Sequence, residues 1–397
     1  MSDLYISAFA PTLGTGRALR TYMCIRALAS LRPVDLAYVP HGADAPSPEY
    51  QAIENLRFHP IRPSRGAHRL TTYASLCLRG VPQQWARGVS PEIAQVAERL
   101  AGAERRGRVI VGDTACAVAM LSWARRHPLI YNAHNIESSY RYPGHGEGRL
   151  DRLAVLRTER RILRMAAESW MVSREDVAMA RDLVPAARLR YVPNVVDVDA
   201  IRPAAGASRA VAGDRAAAGR RRLLMVGDFH YPPNRRGLAF LVDEVLPRVW
   251  RALPDVRLTL AGRGLEPWPG QDERIAVEGF VDDLAALYAT AGCVAVPLLQ
   301  SGGSPLKFVE ALAYGVPVVA TPLAARGLEV RAGEHFLAGE DADAFAAQVA
   351  GVLTDGAPAV AARGRELAEA EYSLQALAAR IAAPVSHVTS GGRNSPV

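Results

Sequence analysis

Short apolar runs alternate along the chain with longer stretches in which apolar residues return every third or fourth position, the signature of strands and amphipathic helices in turn. In the first half, Leu4 to Phe9 reads as a strand, followed by a loop from Pro11 to Arg17 and a helix over Ala18 to Ser30. Val34 to Val39, Val109 to Val111, Leu129 to Asn132, Trp170 to Ser173 and Leu189 to Val192 read as further strands. From Ile201 to Arg222 the chain is rich in alanine, glycine and arginine without an apolar period, so residues 201–222 read as a linker. A second series runs through Leu223 to Val226, Arg257 to Ala261, Ile275 to Glu278, Val294 to Pro297 and Val318 to Thr321. Strands alternating with helices predict an α/β fold with parallel sheets. The expected organisation is a first domain over residues 1–200, a second over 223–372, a C-terminal helix over 373–388 returning to the first domain, and a disordered polar tail over 389–397. Two doubly wound domains facing one another leave a cleft at the carboxyl ends of their strands, where ligands belong.

Composition agrees with two packed domains: 397 residues with 49% apolar and 7% aromatic side chains. Cys24, Cys77, Cys116 and Cys293 are far apart and form no C-x-x-C pair, which predicts a reduced compartment without disulfides or structural zinc. The N-terminal segment lacks a basic region followed by a long apolar stretch, and no apolar run approaches the roughly 18 to 20 residues of a membrane span. A cytoplasmic location is expected. Net charge is +7, but residues 1–200 carry 27 basic and 19 acidic side chains (+8) and residues 201–397 carry 20 and 21 (−1). A basic half suits nucleic acid, an anionic substrate or an acidic membrane surface. The arginines are scattered and no nucleic-acid-binding motif appears, so nucleic acid is not expected and an anionic acceptor or the anionic inner membrane surface fits better. Arg62, Arg65, His68, Arg69, Arg79 and Arg87 mark the docking stretch on that reading; a plain solvated surface is the other.

Of 47 basic side chains, only Lys307 is a lysine, and it lies in S-G-G-S-P-L-K-F-V-E (Ser301 to Glu310). A compact ammonium on a flexible stem differs chemically from the planar guanidinium used everywhere else. Ser304 and Pro305 read as the N-cap and first position of a helix opening at Leu306, which puts Lys307 in its first turn. A cation there opposes the helix dipole by about a few tenths of a kcal/mol unless an anion is also present. Gly302 and Gly303 let the backbone come close to a ligand, and the first-turn N–H groups point to the same place, so phosphate is the candidate. A capped surface helix with a solvated lysine is the alternative.

Other segments fall in a recognisable order around this one. They are Gly14 to Arg17 (G-T-G-R), Tyr131 to Ser138 (Y-N-A-H-N-I-E-S), Tyr191 to Asp197 (Y-V-P-N-V-V-D), Met225 to Asn234 (M-V-G-D-F-H-Y-P-P-N), Leu260 to Gly264 (L-A-G-R-G) and Glu278 to Leu284 (E-G-F-V-D-D-L). With the Ser301 to Glu310 segment, they resemble the family 4 retaining glycosyltransferases of GT-B fold, in particular bacterial polysaccharide sugar transferases, over nearly the whole chain. The resemblance implies two facing doubly wound Rossmann-like domains with an interdomain cleft. It implies a retaining hexosyltransferase that needs neither metal nor cofactor. Such an enzyme moves a sugar from a UDP- or GDP-linked donor to a glycan or lipid-linked acceptor in polysaccharide or glycoconjugate biosynthesis. No D-x-D is read at a strand end.

By the same resemblance, Glu310 accepts hydrogen bonds from the ribose hydroxyls of the donor, a vicinal diol suited to two carboxylate oxygens. Lys307 and the first-turn amides, with Ser304 and Leu306, hold the diphosphate and offset the charge that develops as the glycosidic bond breaks. His134 lies against the donor sugar; as a lone histidine after a strand it would otherwise read as structural. Asn135 and Glu137 either line the acceptor pocket or cap the following helix. Gly14 and Gly16 permit close backbone approach to donor or acceptor, or form a plain turn. Arg263, Phe280 and Val281 belong to loops flanking the nucleotide. Asn234 lies near the phosphates, and Arg235 or Arg236 is a candidate second cation. The pattern departs from the family at Gly302, where the first of two glutamates is usual, and at Asn194-Val195 and Asp228. Two rivals follow: a nucleotide-sugar epimerase of the same fold, which would need more carboxylates around the sugar, and a non-catalytic GT-B partner subunit, which the glycine at 302 favours and Lys307 with Glu310 opposes.

Overall fold

The computed structural model describes residues 1–41, 43, 45–63, 67–103, 107–139, 148–201, 221–300 and 305–383. The first sheet contains β1 (Asp3–Ser7), β2 (Val34–Tyr38), β3 (Leu56–Pro60), β4 (Val109–Val111), β5 (Ile130–Asn132), β6 (Glu168–Met171) and β7 (Leu189–Tyr191), in the order β3-β2-β1-β4-β5-β6-β7. The second contains β8 (Arg222–Val226), β9 (Arg257–Ala261), β10 (Ile275–Gly279), β11 (Cys293–Val296), β12 (Val318–Ala320) and β13 (Leu337–Ala338), in the order β10-β9-β8-β11-β12-β13. All the strand pairs are parallel, which the sequence anticipates in its near-continuous apolar strands covered on both faces by helices. In each sheet the order reverses beside its first strand, between β1 and β4 and between β8 and β11, and a crevice opens at the carboxyl ends there.

Several expected boundaries move. The helix expected over Ala18 to Ser30 runs Gly16–Leu31, because the Thr15 hydroxyl caps it by accepting the Ala18 N–H. Strand β3 goes unread in the sequence because it is a half-exposed edge with only Leu56 and Phe58 apolar and Pro60 at its end. Strand β13 is a two-residue edge. Arg222, assigned above to the linker, opens β8 instead and pairs with Arg257. The rest of the expected linker, residues 202–220, and the expected tail, 389–397, lie outside the described residues.

The chain passes between domains at a sharply defined point. Val195 packs in the first domain's core, while Val196 and Val198 pack in the second's. The return crossing lies alongside: the Val196 N–H donates to the Tyr372 carbonyl at 3.1 Å. The helix Leu374–Ala382 then buries Leu377 and Ile381 against the helix Gly16–Leu31. Among the described residues no single helix is long and apolar enough to cross a membrane.

Candidate active site

The helix Leu306–Ala313 sits at the carboxyl edge of the second sheet. Phe308, Val309, Ala311, Leu312 and Ala313 are buried, and Phe308 meets Phe336 edge to face at 5.3 Å. Burial of this apolar face fixes the helix, each large side chain contributing about 1.5–3 kcal/mol. Lys307 and Glu310, three residues apart, are left on one half-buried edge. Pro305 proves to be the N-cap itself, not the first helical residue, and brings no side-chain cap. Gly302, Gly303 and Ser304 lie outside the described residues.

The Lys307 ammonium donates to Asn234 Oδ1, and Asn234 Nδ2 is fixed in turn by the Asp228 carbonyl at 2.7 Å. Burial lowers the lysine pKa from its usual range to about 8. No acidic side chain pairs with it among the described residues, so the cation is held by an amide dipole alone. Glu310 takes one hydrogen bond from the Tyr288 hydroxyl, 3.1 Å to Oε2, and Tyr288 is stacked on Tyr314 at 4.1 Å. Burial raises the Glu310 pKa.

Three strand-end loops build the adjoining wall. The Phe229 N–H donates to the Arg263 carbonyl at 2.7 Å, and the Gly262 N–H to the Gly279 carbonyl at 2.7 Å. Gly262 has φ +139°, and a Cβ there would stand 1.7 Å from the Gly227 carbonyl oxygen, so only glycine fits. The Arg263 guanidinium lies over the Phe280 ring at 4.3 Å, with Phe280 56% exposed and Val281 beside it. The first domain closes on this wall: a Cβ at Gly14 would be 3.3 Å from the Arg263 guanidinium, and one at Gly16 would be 3.6 Å from Leu306. Gly14, Gly16, Arg263, Phe280 and Leu306 therefore share one cleft, beside Lys307 and Asn234.

In the first domain, β1, the helix Gly16–Leu31 and the β4 and β5 ends enclose a cavity of about 440 Å³ lined by Phe9, Thr15, Arg17, Asp113 and His134, among others. His134 Nε2 lies 2.6 Å from the Gly112 carbonyl, which can only accept, so Nε2 carries the proton and Nδ1 is the acceptor. Burial, then the neighbouring Arg17 and Arg20, lower its pKa well below the ordinary histidine range, and the ring is neutral at pH 7. Asn135 and Glu137 do not line this cavity. Asn135 Oδ1 is buried without a hydrogen-bond partner among the described residues, and Glu137 opens the turn Glu137–Ser139.

Two buried groups that the sequence did not single out hold this loop. Arg20, 2% exposed, donates to Asn132 Oδ1 at 2.6 Å, the Val192 carbonyl at 2.8 Å and Asn194 Oδ1 at 3.2 Å, tying the strand before His134 to the interdomain crossing. Glu159, 3% exposed, accepts the Glu137 N–H at 2.7 Å, the Ser138 N–H at 3.2 Å and the Ser138 hydroxyl. Burial raises its pKa to about 7 despite these bonds. A carboxyl raised from 4.5 to about 7 favours folding while protonated, so its contribution is complete below about 4.5 and is lost as pH climbs through 7. Glu159→Gln, which cannot ionise, should flatten the decline in unfolding free energy between pH 5 and 8 by about 1–3 kcal/mol, read by urea denaturation. Parallel curves for variant and wild type would remove Glu159 from that role. In a chain this rich in arginine and glutamate, neither residue's sequence context separates it from a surface charge.

Arg235 is not brought to Lys307: it is exposed and lines a separate groove, whereas Arg236 pairs with Gln300 just before the Ser301 segment. The helix Pro232–Ala239 turns Asn234 inward, and the next residue consequently faces away. D-x-D occurs twice, neither time at a strand end: as Asp197-Val198-Asp199 in the interdomain crossing and as Asp341-Ala342-Asp343 at the start of the helix Ala342–Asp355. Asp197 pairs with Arg26, Asp199 with Gln375, and Asp343 with Arg248, while Asp341 caps the helix Ala342–Asp355. Among the described residues no cluster of three or more His, Cys, Asp or Glu has metal-site geometry.

Two facing parallel-sheet domains with a cleft of this construction define the GT-B class of glycosyltransferase folds. The family model described as "Glycosyl transferases group 1" matches residues 220–355, so the second domain is similar to that family, which supports a GT4-like glycosyltransferase. A GDP-mannose-dependent phosphatidylinositol monomannoside mannosyltransferase of Mycobacterium tuberculosis is 33% identical over 218 residues, 50% of this chain and 56% of that protein. A phosphatidyl-myo-inositol mannosyltransferase of Mycobacterium leprae is 32% identical over 174 residues, 41% of this chain and 43% of its own length. The matches thus span about half the length of these relatives. Among solved structures, sucrose-phosphate synthase of Thermosynechococcus elongatus superposes with TM-score 0.68 at 18% identity, covering 96% of this chain and 97% of that one. HepE of Anabaena, solved with UDP and glucose, superposes at 0.64 and 14% identity, covering 96% and 98%. Likeness at these identities carries the fold.

Proposed function

We propose that the chain is a retaining, metal-independent glycosyltransferase that moves a hexosyl group from a UDP- or GDP-linked donor to a glycan or lipid-linked acceptor. The observation that carries this reading is the half-buried Lys307 ammonium, fixed by Asn234 and without a carboxylate partner among the described residues, on the same helix edge as Glu310 and next to Leu306, which faces Gly16 of the other domain. A buried cation without a counter-ion is poised for an anionic ligand. Glu310 would take the ribose diol, Lys307 the diphosphate, and Arg263 with Phe280 the base.

The acceptor hydroxyl would attack from the face on which the nucleotide departs, with a leaving-group phosphate oxygen taking its proton. Catalysis then rests on positioning and on neutralising the leaving diphosphate. His134, neutral with Nδ1 as acceptor, suits a bond from a sugar hydroxyl. The mannosyltransferase relatives favour a GDP-sugar, and the UDP-bound neighbour keeps UDP in consideration. The paired Lys307–Asn234 and Tyr288–Glu310 contacts support a working donor site over a degenerate partner subunit. The test is a thermal-shift and calorimetric screen against UDP, GDP, ADP and TDP. Saturable binding of one nucleotide supports the reading and names the donor class; no response to any of the four defeats it.

A further inference from the structure

The second domain carries another concavity, a groove of about 780 Å³ between the helix Pro232–Ala239 with its continuation and the loop after β9. Its volume lies within the range of small-ligand sites, about 300–1,000 Å³. None of Lys307, Glu310, Arg263 or Phe280 lines it. Its polar side chains are His230, Arg235, Asp243 and Glu266, and its aromatic one is Trp268.

Two features mark it as built. The helix is interrupted by a π-helical segment, Phe240–Val245, which keeps Phe240, Leu241 and Val245 in the core. The groove face of this helix is Arg235, Leu238, Ala239, Val242 and Asp243, and the π-helical segment interrupts the helix along that face. Such interruptions are rare and accompany functional sites more often than ordinary surface. The second feature is that Arg235, Asp243 and Glu266 line one groove without an ion pair to one another or to any other charged side chain among the described residues. The Trp268 backbone N–H donates to Gln271 Oε1 at 3.2 Å, and Gln271 Nε2 donates in turn to the Ile275 carbonyl at 2.7 Å.

One guanidinium stands against two carboxylates, while His230 Nδ1 lies 3.1 Å from Asp228 Oδ1, which disfavours a phosphate or another polyanion. An indole beside a guanidinium and two carboxylates suits a neutral molecule with apolar C–H faces and vicinal hydroxyls: the face stacks on the ring and the planar groups fork onto the diols. We propose that this groove binds a neutral oligosaccharide, as a glycan-holding site apart from the interdomain cleft. The proposal stands on the groove's own chemistry, not on the transfer reaction, so nucleotide binding is followed in parallel.

The experiment titrates the full chain with gluco-, manno- and galacto-tetraoses while reading tryptophan fluorescence. A saturable change is expected with at least one tetraose, absent in Trp268→Phe, and weakened about tenfold in Asp243→Ala and in Glu266→Ala. The two carboxylates are exposed, so these variants fold even where the tryptophan variant does not. The thermal shift with UDP or GDP should persist in all three. No saturable change with any tetraose, or full affinity in both carboxylate variants, overturns the proposal. Tetraose binding without any nucleotide response leaves the groove standing and removes the transferase reading.

Discussion

Lys307→Ala lowers turnover by about a hundred- to a thousandfold, the loss that follows removal of one preorganised group from developing anionic charge. The ammonium is half-buried, meets Asn234 and no acidic side chain among the described residues, and has its pKa lowered to about 8 by that burial. The desolvation cost of that burial is borne by the fold itself, and a bound diphosphate would offset it. On the proposed reading, alanine removes the cation at the point where the leaving group gains charge, while an acceptor held by the other domain would keep its contacts. The expected pattern is a collapse of kcat with the acceptor KM nearly unchanged; equal losses in both would show that the lysine supports general binding. Because the free-protein ammonium is present below about pH 8 and lost above it, nucleotide affinity should also fall as pH rises through 8 in the wild type. That slope should be absent in Lys307→Ala, and a slope that persists there would assign it to another group.

What the sequence disclosed and what it hid divide along physical lines. The central strands are apolar on both faces and announce themselves, as Leu4, Ile6, Leu223 and Leu258 do. Edge strands bury only part of themselves, so β3 and β13 left no run to read. Lys307 was visible as the single lysine, and the helix it opens followed from Pro305 and the apolar face behind it. The direction of Arg235 was not visible, since adjacent residues on a helix point about 100° apart and the pattern alone does not say which faces the cleft. Arg20 is the clearest omission. A buried guanidinium reads as a surface charge until the chain folds and Asn132, Val192 and Asn194, far apart in sequence, converge on it. Contacts of that kind are set by topology, and a single sequence carries no local trace of them.

Glu310→Ala weakens nucleotide binding by about a hundredfold, as expected when two charge-assisted hydrogen bonds of about 1.5–3 kcal/mol each are only partly offset by solvent. Tyr288 already occupies one side of Oε2, and its stacking on Tyr314 prevents the phenol from moving away, so the carboxylate is held in one orientation before any ligand binds. A preformed acceptor pair distinguishes a ribose from a deoxyribose, which lacks one of the two donors. The wild type should therefore prefer UDP or GDP over its 2′-deoxy counterpart by about tenfold, the worth of one such bond, and the alanine variant should lose that preference along with the affinity. Glu310→Gln, which keeps one acceptor oxygen, should fall between the two. The discrimination isolates the diol contact from any general loosening of the helix, because a structural defect would weaken both nucleotides equally and leave their ratio unchanged. Calorimetry with the ribo and 2′-deoxy nucleotides on the three proteins reads this ratio directly, and an unchanged ratio in Glu310→Ala would detach Glu310 from the ribose.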